Sequence, residues 1–581
     1  MKDYFSIFGE IKKNKKNYND EVYLEKNDNK GMTYSDDKHK LSLNSNGRFE
    51  EDSVLEKNER FILLVDGVLL NYAELKTKNK VDTYLELCCA MYNKKGLEFF
   101  KEFKGNFSGY FYDIELETGV LFTNQYGDKR VYYYEDEEMI VFGSRVQDVA
   151  NYISSKNIEL KLDLGGAYSL LTYGFMYHNL TLVRDIRKLL AGHCLKILPD
   201  SKIVTNSYYE LPSELSLNID IDTATKELHQ LFMQATQLQL NKNIEYGFQD
   251  WCPLSAGLDS RITTFAVSEI NNKQQKDVYN MTYSESGELD QTIPTKISKD
   301  IKSHFLFKAQ DNGLFLKNID YSTTVSDGVQ FYVWPAQLLD YLSLINYSEF
   351  GLVHTGVLGD AIVGGSFLDQ TKRTYYEFGD GAYSLKLINK AREAIEQTNY
   401  PNREIGMMMN RGYNGATLGY STAFQMTTEA FSPFMDVDFL NYCLKLPYEY
   451  RKGYKIYFKW IREYFPKACK YKYNGLKIPK NTNLTISWKK RCWPIEMIPS
   501  LLSIKFKTLT KKTKGMNPFD LWYKTNMDIK ESINSYFEEN INLLKHYGDL
   551  YNDTRYLFLE GNTLEKTLTL SLLASVKLLF C

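Results

Sequence analysis

The chain has 581 residues, 43% hydrophobic and 25% charged, with a formal net charge of −2. That length accommodates two or more domains, and the balance is that of a soluble globular protein with no general pull toward nucleic acid or acidic lipid. The eight cysteines (Cys88, Cys89, Cys194, Cys252, Cys443, Cys469, Cys492 and Cys581) form no Cys-x-x-Cys pair and no Cys/His cluster, which argues against a zinc site and a disulfide framework.

Residues 1 to about 205 read as β-rich with a few helices. The first nine residues lack the apolar core of a signal peptide. Residues 61–67 form an apolar run that predicts a buried strand ending in a turn at Asp66-Gly67. Residues 81–92 have helical periodicity, and 107–113 alternate as a strand. Residues 120–123 and 131–134 flank Gly127-Asp128-Lys129, which predicts a hairpin. Sheets packed face to face are the expected result. A polar stretch, 211–222, divides the chain into domains 1–210 and 211–581.

The second half alternates helix and strand signals. Residues 224–240 are helical in period. A short apolar strand from Trp251 then runs through Leu254 into Ser255-Ala256-Gly257-Leu258-Asp259-Ser260 and on into a buried helix. Strand, tight turn, helix is an anion seat, because the first N–H groups of a helix lack partners and its dipole favours negative charge. Gly257 permits close backbone approach, and Ser255 and Ser260 add hydroxyl donors. Asp259 inside an anion seat implies an accompanying cation, and Mg²⁺ shared between carboxylates and phosphate oxygens resolves the conflict. The plain alternative is an ordinary strand-to-helix turn with Asp259 as a cap. Further strands at 277–283 and 350–356 and a helix at 290–302 imply a parallel sheet covered on both faces, with ligands at the carboxyl ends of its strands. The lysine-rich stretch 486–514 reads as a solvated face, or else as a cover for a triphosphate or a seat for an acidic peptide. It holds no RNA-binding motif. Residues 568–580 are apolar but short and interrupted by Lys577, so a buried closing helix is expected rather than a membrane span. A cytoplasmic protein with neither nucleic-acid nor membrane partners is expected.

The loop Ser255-Ala256-Gly257-Leu258-Asp259-Ser260 resembles the Ser-Gly-Gly-x-Asp-Ser pyrophosphate loop of ATP-pyrophosphatases, with Ala256 for the first Gly. Its surroundings resemble the asparagine synthetase family, which includes the β-lactam synthetases and lasso-peptide cyclases. Ser6-Ile7-Phe8-Gly9, Asp66-Gly67-Val68-Leu69-Leu70-Asn71 and Gly105-Asn106-Phe107 are similar to the opening and interior motifs of its glutaminase domain. The second half carries Gly356-Val357-Leu358-Gly359-Asp360, Pro433-Phe434-Met435-Asp436 and Lys470-Tyr471-Lys472-Tyr473-Asn474-Gly475. The resemblance implies an α/β fold: an N-terminal α+β sandwich of N-terminal-nucleophile type, followed by a parallel-sheet ATP-pyrophosphatase domain like the adenine nucleotide α-hydrolases. It implies ATP and Mg²⁺ as cofactors, with the metal on Asp259 and Asp360. Leu254, Ser255, Ala256, Gly257, Asp259, Ser260, Met281, Thr282 and Gly356 would then bind nucleotide. Lys472, with Asp259 and Asp360, would be catalytic, and Lys470 stands where the family has Arg.

The departures from the family are equally informative. Phe5 occupies the place of the glutaminase cysteine, inside the chain, where it offers neither a nucleophilic atom nor a free amine. Asp66 replaces the Asn that would stabilise an oxyanion. Val357 replaces the Glu, or the β-lactam synthetase Tyr, three places before Asp360, and Ala361 the acid after it. The expected function is therefore an ATP-dependent ligase that adenylates a carboxylate and passes it to an amine, without glutamine hydrolysis. By analogy with the cyclases the substrate is a ribosomal precursor peptide closed to a macrolactam, with a leader-binding or protease partner. The alternatives are ammonia-dependent amidation of a small acid or sugar carboxylate, and a non-catalytic ATP-binding scaffold.

Overall fold

A computed structural model describes residues 6–13, 23–26, 31–368, 374–473, 475–482, 484–488, 491–502 and 516–581. Phe5, Asn474 and the lysines at 489, 490, 505, 507, 511, 512 and 514 lie outside the described residues.

The N-terminal half is built on two antiparallel sheets. Its strands are β1 (Ser6–Lys12), β2 (Tyr23–Lys26), β3 (Gly31–Ser35), β4 (His39–Asn44), β5 (Val54–Lys57), β6 (Phe61–Leu69), β7 (Gly105–Asp113), β8 (Thr118–Thr123), β9 (Tyr132–Glu135), β10 (Met139–Gly143), β11 (Arg187–Lys188), β12 (His193–Ile197) and β13 (Ile203–Ser207). One sheet has the order β11-β9-β10-β1-β4-β3-β2 and the other β13-β12-β8-β7-β6-β5. Alternation along each strand decides the layers. Ile7, Ile11, Leu41 and Leu43 of the first sheet meet Ile62, Leu64, Tyr110 and Leu195 of the second. The opposite face of the second sheet, with Leu63, Val65, Phe111 and Phe122, packs on α1 (Tyr72–Asn79) and α2 (Tyr84–Lys95). A capping box between Thr83 and Glu86 starts α2. Tyr132 and Val141 on the outer face of the first sheet pack against α3 (Val146–Ser155) and α4 (Leu164–Tyr173). The result is four layers: helix, sheet, sheet, helix.

Two expectations for this half are corrected. The apolar run from Phe61 does not end at Asp66-Gly67 but continues in register to Leu69, paired with β7. Gly67 tolerates this at φ +146, where a Cβ would lie 2.0 Å from the Asn106 carbonyl oxygen. Residues 120–123 and 131–134 also do not form a hairpin. The edge of β8 is taken by β12, and β9 pairs with β10 and β11 in the other sheet. The intervening loop is a buried crossing between sheets, held by local hydrogen bonds. Asn124 donates to the Gly105 carbonyl and accepts from the Asp128 N–H, and Thr123 donates to the Lys129 carbonyl.

The second half holds a parallel sheet of order β16-β15-β14-β17-β18: β14 (Gln249–Pro253), β15 (Val278–Ser284), β16 (His304–Ala309), β17 (Phe350–His354) and β18 (Ala430–Phe431). Cys252 and Val278 face α5 (Ile221–Glu245) and α6 (Asp259–Gln274), with α7 (Leu289–Ile301) beside β15. Trp251, Met281 and Val353 face α8 (Val333–Leu342) and, further along, the short helix Leu418–Phe424. A buried network of Asp250, His354, Asn243 and Asn271 ties β14 and β17 to α5 and α6. The chain closes with the helix Thr563–Phe580, buried over most of its length as expected for 568–580. Among the described residues no helix is long and apolar enough to cross a membrane.

The two halves share a core. Leu170, Leu171 and Tyr173 of α4 lie in one cluster with Leu568, Leu572, Leu573 and Val576 of the closing helix. Residues Met408–Thr417 wind as a π-helix. Its Asn414 side chain donates to the carbonyls of Met176 and His178, and Asn410 accepts from the His178 N–H.

Candidate active site

At the carboxyl ends of β14, β15 and β17 lies a cavity of about 410 Å³, within the range of small-molecule sites. Its wall includes Leu254, Ser255, Gly257, Asp259, Ser260, Met281, Thr282, Gly356 and Asp360. These come from three separate strand ends and are all residues singled out by sequence. Ser255 and Ser260 hold the loop shut from within. The Ser260 hydroxyl accepts from the Ser255 N–H at 3.0 Å and lies 2.9 Å from the Ser255 hydroxyl, which accepts from the Gly257 N–H at 3.1 Å. Helix α6 starts at Asp259, so its first N–H groups open toward the cavity rim.

Two glycines bring the second carboxylate to the first. A Cβ on Gly356 would sit 2.3 Å from the Ser260 nitrogen, and one on Gly359 would sit 2.7 Å from Asp259 Cγ. Without side chains at these positions, the turn after β17 lies directly on the start of α6. The short helix α9 (Gly359–Ile362) then begins, and the Asp360 N–H donates to Asp259 Oδ2 at 2.9 Å. Tyr457 donates to Asp259 Oδ1 at 2.6 Å. Asp259 and Asp360, 101 residues apart in sequence, thus converge on one rim. Burial, and then the charge of Asp360, hold the Asp259 carboxyl well above the usual carboxylate range, against the pull of Tyr457 and the Asp360 N–H. Leu358 (φ +66) and Tyr454 (φ +61) on the same wall take left-handed backbone, a strain of about 1–2 kcal/mol that tends to mark functional loops.

Two sequence-singled residues stand elsewhere. Ala256 does not line the cavity: it is fully buried in the core behind the loop, and its N–H donates to Asp290 at 2.9 Å. A methyl there fills apolar space, which is why alanine replaces glycine without distorting the turn. Lys472 is exposed and does not line the cavity, whose wall at this point is Tyr473. The backbone carbonyl of Lys472 instead accepts from Arg261 at 2.8 Å. Met281 reaches the wall, but its carbonyl already accepts from the Leu254 N–H and its side chain lies in the core.

Sequence reasoning missed Arg261, Tyr457, Asp290 and the aromatic wall of Tyr283, Tyr420, Tyr454 and Tyr473. Arg261 is fully buried and donates to the carbonyls of Ala256, Ala468, Tyr471 and Lys472. It clamps the loop to the segment carrying Lys472, and burial draws its pKa down to about 10. The signal was available: an arginine in the first turn of an otherwise buried helix needs several acceptors.

The donor set fits a magnesium–nucleotide complex. Two carboxylates on one rim, facing serine hydroxyls and a helix N-terminus, supply hard oxygens for Mg²⁺ and donors for phosphate. Among the described residues there is no group of three or more His, Cys, Asp or Glu that would hold a metal alone, so phosphate oxygens would complete the shell.

Comparison with known proteins bears on this arrangement. A sequence profile of the glutamine amidotransferase domain matches residues 40–209. The putative asparagine synthetase (glutamine-hydrolysing) 2 of Methanocaldococcus jannaschii is 25% identical over 337 residues, covering 54% of this chain and 62% of that protein. Asparagine synthetase (glutamine-hydrolysing) 2 of Bacillus subtilis is 23% identical over 236 residues, covering 37% of this chain and 30% of that one. The chain is similar to proteins of the asparagine synthetase family. The chain spans less than two thirds of the length of either relative. It is also similar to a solved glutamine phosphoribosylpyrophosphate amidotransferase from B. subtilis at 10% identity and a TM-score of 0.23, over 66% of this chain and 82% of that one. The fold described above rests on sheet topology alone.

Proposed function

We propose that the chain is an ATP-dependent ligase that forms an amide bond through an acyl-adenylate. The observation that carries this reading is the convergence of Asp259 and Asp360 beside the Ser255–Ser260 turn at the strand ends. ATP would lie with its base toward Thr282 and Tyr283 and its phosphates over the turn, with Asp259 and Asp360 holding Mg²⁺, which supplies charge neutralisation. A substrate carboxylate held in the cavity would attack the α-phosphate, giving AMP-activated acid and pyrophosphate. An amine would then displace AMP, and the walls would supply alignment and exclusion of water.

Internally generated ammonia is not part of this reading. Asp66, where the family has Asn, is buried and ion-paired to Lys129 at 2.8 Å, so a negative group stands where an oxyanion donor would be needed. The amine is then the substrate's own, as in closure of a ribosomal peptide to a macrolactam, or free ammonia added to a small acid. The exposed side chain of Lys472 favours a second reading, an ATP-binding scaffold without turnover.

Carboxylate-dependent exchange of pyrophosphate into ATP separates the two. The ligase exchanges and releases AMP, whereas the scaffold binds ATP and does neither. Asp259→Ala is expected to weaken Mg²⁺–ATP binding at least about tenfold by titration calorimetry. Unchanged binding would remove the site assignment. Glutamine-dependent AMP release would contradict the loss of glutaminase chemistry.

A further inference from the structure

A groove of about 1150 Å³ lies at the far end of α6 from the nucleotide cavity. It exceeds the usual small-molecule site and suits a stretch of chain rather than a metabolite. Its floor is apolar, with Phe265, Val278 and Phe465 buried in it. Its rim is charged, with five lysines (Lys273, Lys276, Lys302, Lys467 and Lys470) and three acids. The acids are already matched within the chain. Glu269 pairs with Lys273 at 3.2 Å, Asp277 faces His304 at 3.5 Å, and Asp300 accepts from the Tyr471 hydroxyl. The ammonium groups of Lys276, Lys302, Lys467 and Lys470 make no ion pair among the described residues. On a chain of net charge −2, four unmatched cations around one apolar floor are a local excess complementary to an acidic ligand. The groove also selects the kind of acidic ligand. Helices α6 and α7 and the helix Lys455–Tyr464 all end beside it. Helix C-termini carry partial negative charge and carbonyls that seek N–H donors. A polypeptide brings N–H groups for those carbonyls and carboxylates for the lysines. A nucleic acid backbone brings phosphate acceptors alone and would meet three negative helix ends.

One segment joins this groove to the nucleotide cavity. Tyr464, Lys467, Lys470 and Tyr471 line the groove, and Tyr473 lines the cavity. Lys472 between them is exposed, and Arg261 holds the segment by the carbonyls of Ala468, Tyr471 and Lys472. Resting on the amide-forming reading above, we infer that the groove docks an acidic stretch of a polypeptide substrate whose reacting carboxylate reaches the nucleotide cavity along this segment. From Asp259 in the cavity to Lys273 on the groove is about 21 Å along α6, at about 1.5 Å per residue. An extended chain covers that distance in about six residues. The acidic stretch therefore stands at least about six residues from the carboxylate that reacts. The substrate class is then a polypeptide, since a small acid held in the cavity has no part that meets the lysines.

The test uses the full chain and a fluorescein-labelled peptide, Asp-Glu-Phe-Glu-Asp-Leu-Glu-Glu, read by fluorescence anisotropy. Its affinity is expected to fall at least about tenfold between about 50 and 300 mM NaCl. Lys302→Glu combined with Lys467→Glu, both at exposed positions, should weaken the peptide at least about tenfold. The thermal melt of that variant should stay within about 2 °C of the parent. Asp259→Ala should leave peptide affinity within about twofold, because the groove lies outside the nucleotide cavity. Pyrophosphate exchange with Mg²⁺–ATP then reads the reach. The same acidic stretch is joined to a terminal aspartate or glutamate through a short (about two-residue) or a long (about eight-residue) Gly/Ser spacer. The long-spaced peptides should half-saturate exchange at a concentration at least about tenfold below the short-spaced ones, an advantage lost in K302E/K467E. Equal binding to parent and K302E/K467E, displacement by oligothymidylate as strong as by unlabelled peptide, or equal use of the two spacers overturns this inference and leaves the ligase reading standing. Absence of exchange with every peptide, while the acidic stretch still binds through the lysines, overturns the ligase reading and with it the groove's part in presenting substrate.

Discussion

Gly356 and Gly359 decide the distance between the two carboxylates, because each presses a backbone turn against the start of α6 where no Cβ fits. Gly356→Ala is the sharper test. Its methyl would meet the Ser260 backbone nitrogen at 2.3 Å, and a main chain at a helix start does not move aside as a flexible side chain does. The turn must lift, carrying Asp360 away from Asp259. The expected result is a folded protein, destabilised by about 1–3 kcal/mol, whose Mg²⁺–ATP affinity falls at least about tenfold. Thermal melts and calorimetric titration check the two parts, and an unaltered affinity would mean the glycines serve packing alone. At this scale the sequence was readable where the chemistry is local. Ser255, Gly257, Asp259 and Ser260 announce a tight strand-to-helix turn by residue type and order. Tyr457 and Arg261 act on that turn from 198 and 5 residues away through geometry that no spacing rule encodes. Lys472 shows the reverse failure, since a motif can place a residue in the right segment without aiming its side chain.

Elements were legible wherever one face is buried and one is not. The helix at 81–92, the period of α5 and the apolar strand at 350–356 all appear near their expected positions. The hairpin expected around Gly127-Asp128-Lys129 does not appear, because turn residues between two apolar runs do not say whether the runs pair with each other or join different sheets. Here the loop carries Lys129, buried between Asp66 on β6 and Glu429 just before β18. Lys129→Met would leave two buried carboxylates without their cation, a loss of about 3–5 kcal/mol measurable by urea denaturation. Adding Asp66→Asn and Glu429→Gln to it should recover a large part, since the cost lies in the stranded charges rather than in the absent lysine. A K129M chain of parental stability would show that the cluster is solvated in solution.

At the scale of the molecule, the polar stretch at 211–222 marks a change of sheet type but does not separate two cores. The closing helix Thr563–Phe580 lays Leu568, Leu572 and Val576 against Leu170, Leu171 and Tyr173 of α4, so the last residues of the chain complete the packing of the N-terminal half. Asn410 and Asn414 of the π-helix fasten to the backbone at 176–178 from the other side. The N-terminal half thus has a physical role independent of any chemistry: without it, a large apolar face of the second half has nothing to cover it. Residues 211–581 expressed alone are accordingly expected to aggregate or to bind hydrophobic dyes strongly. The full chain should unfold in one cooperative transition that reports both sheets together. Two well-separated calorimetric transitions, or a soluble 211–581 fragment that binds Mg²⁺–ATP with parental affinity, would contradict this.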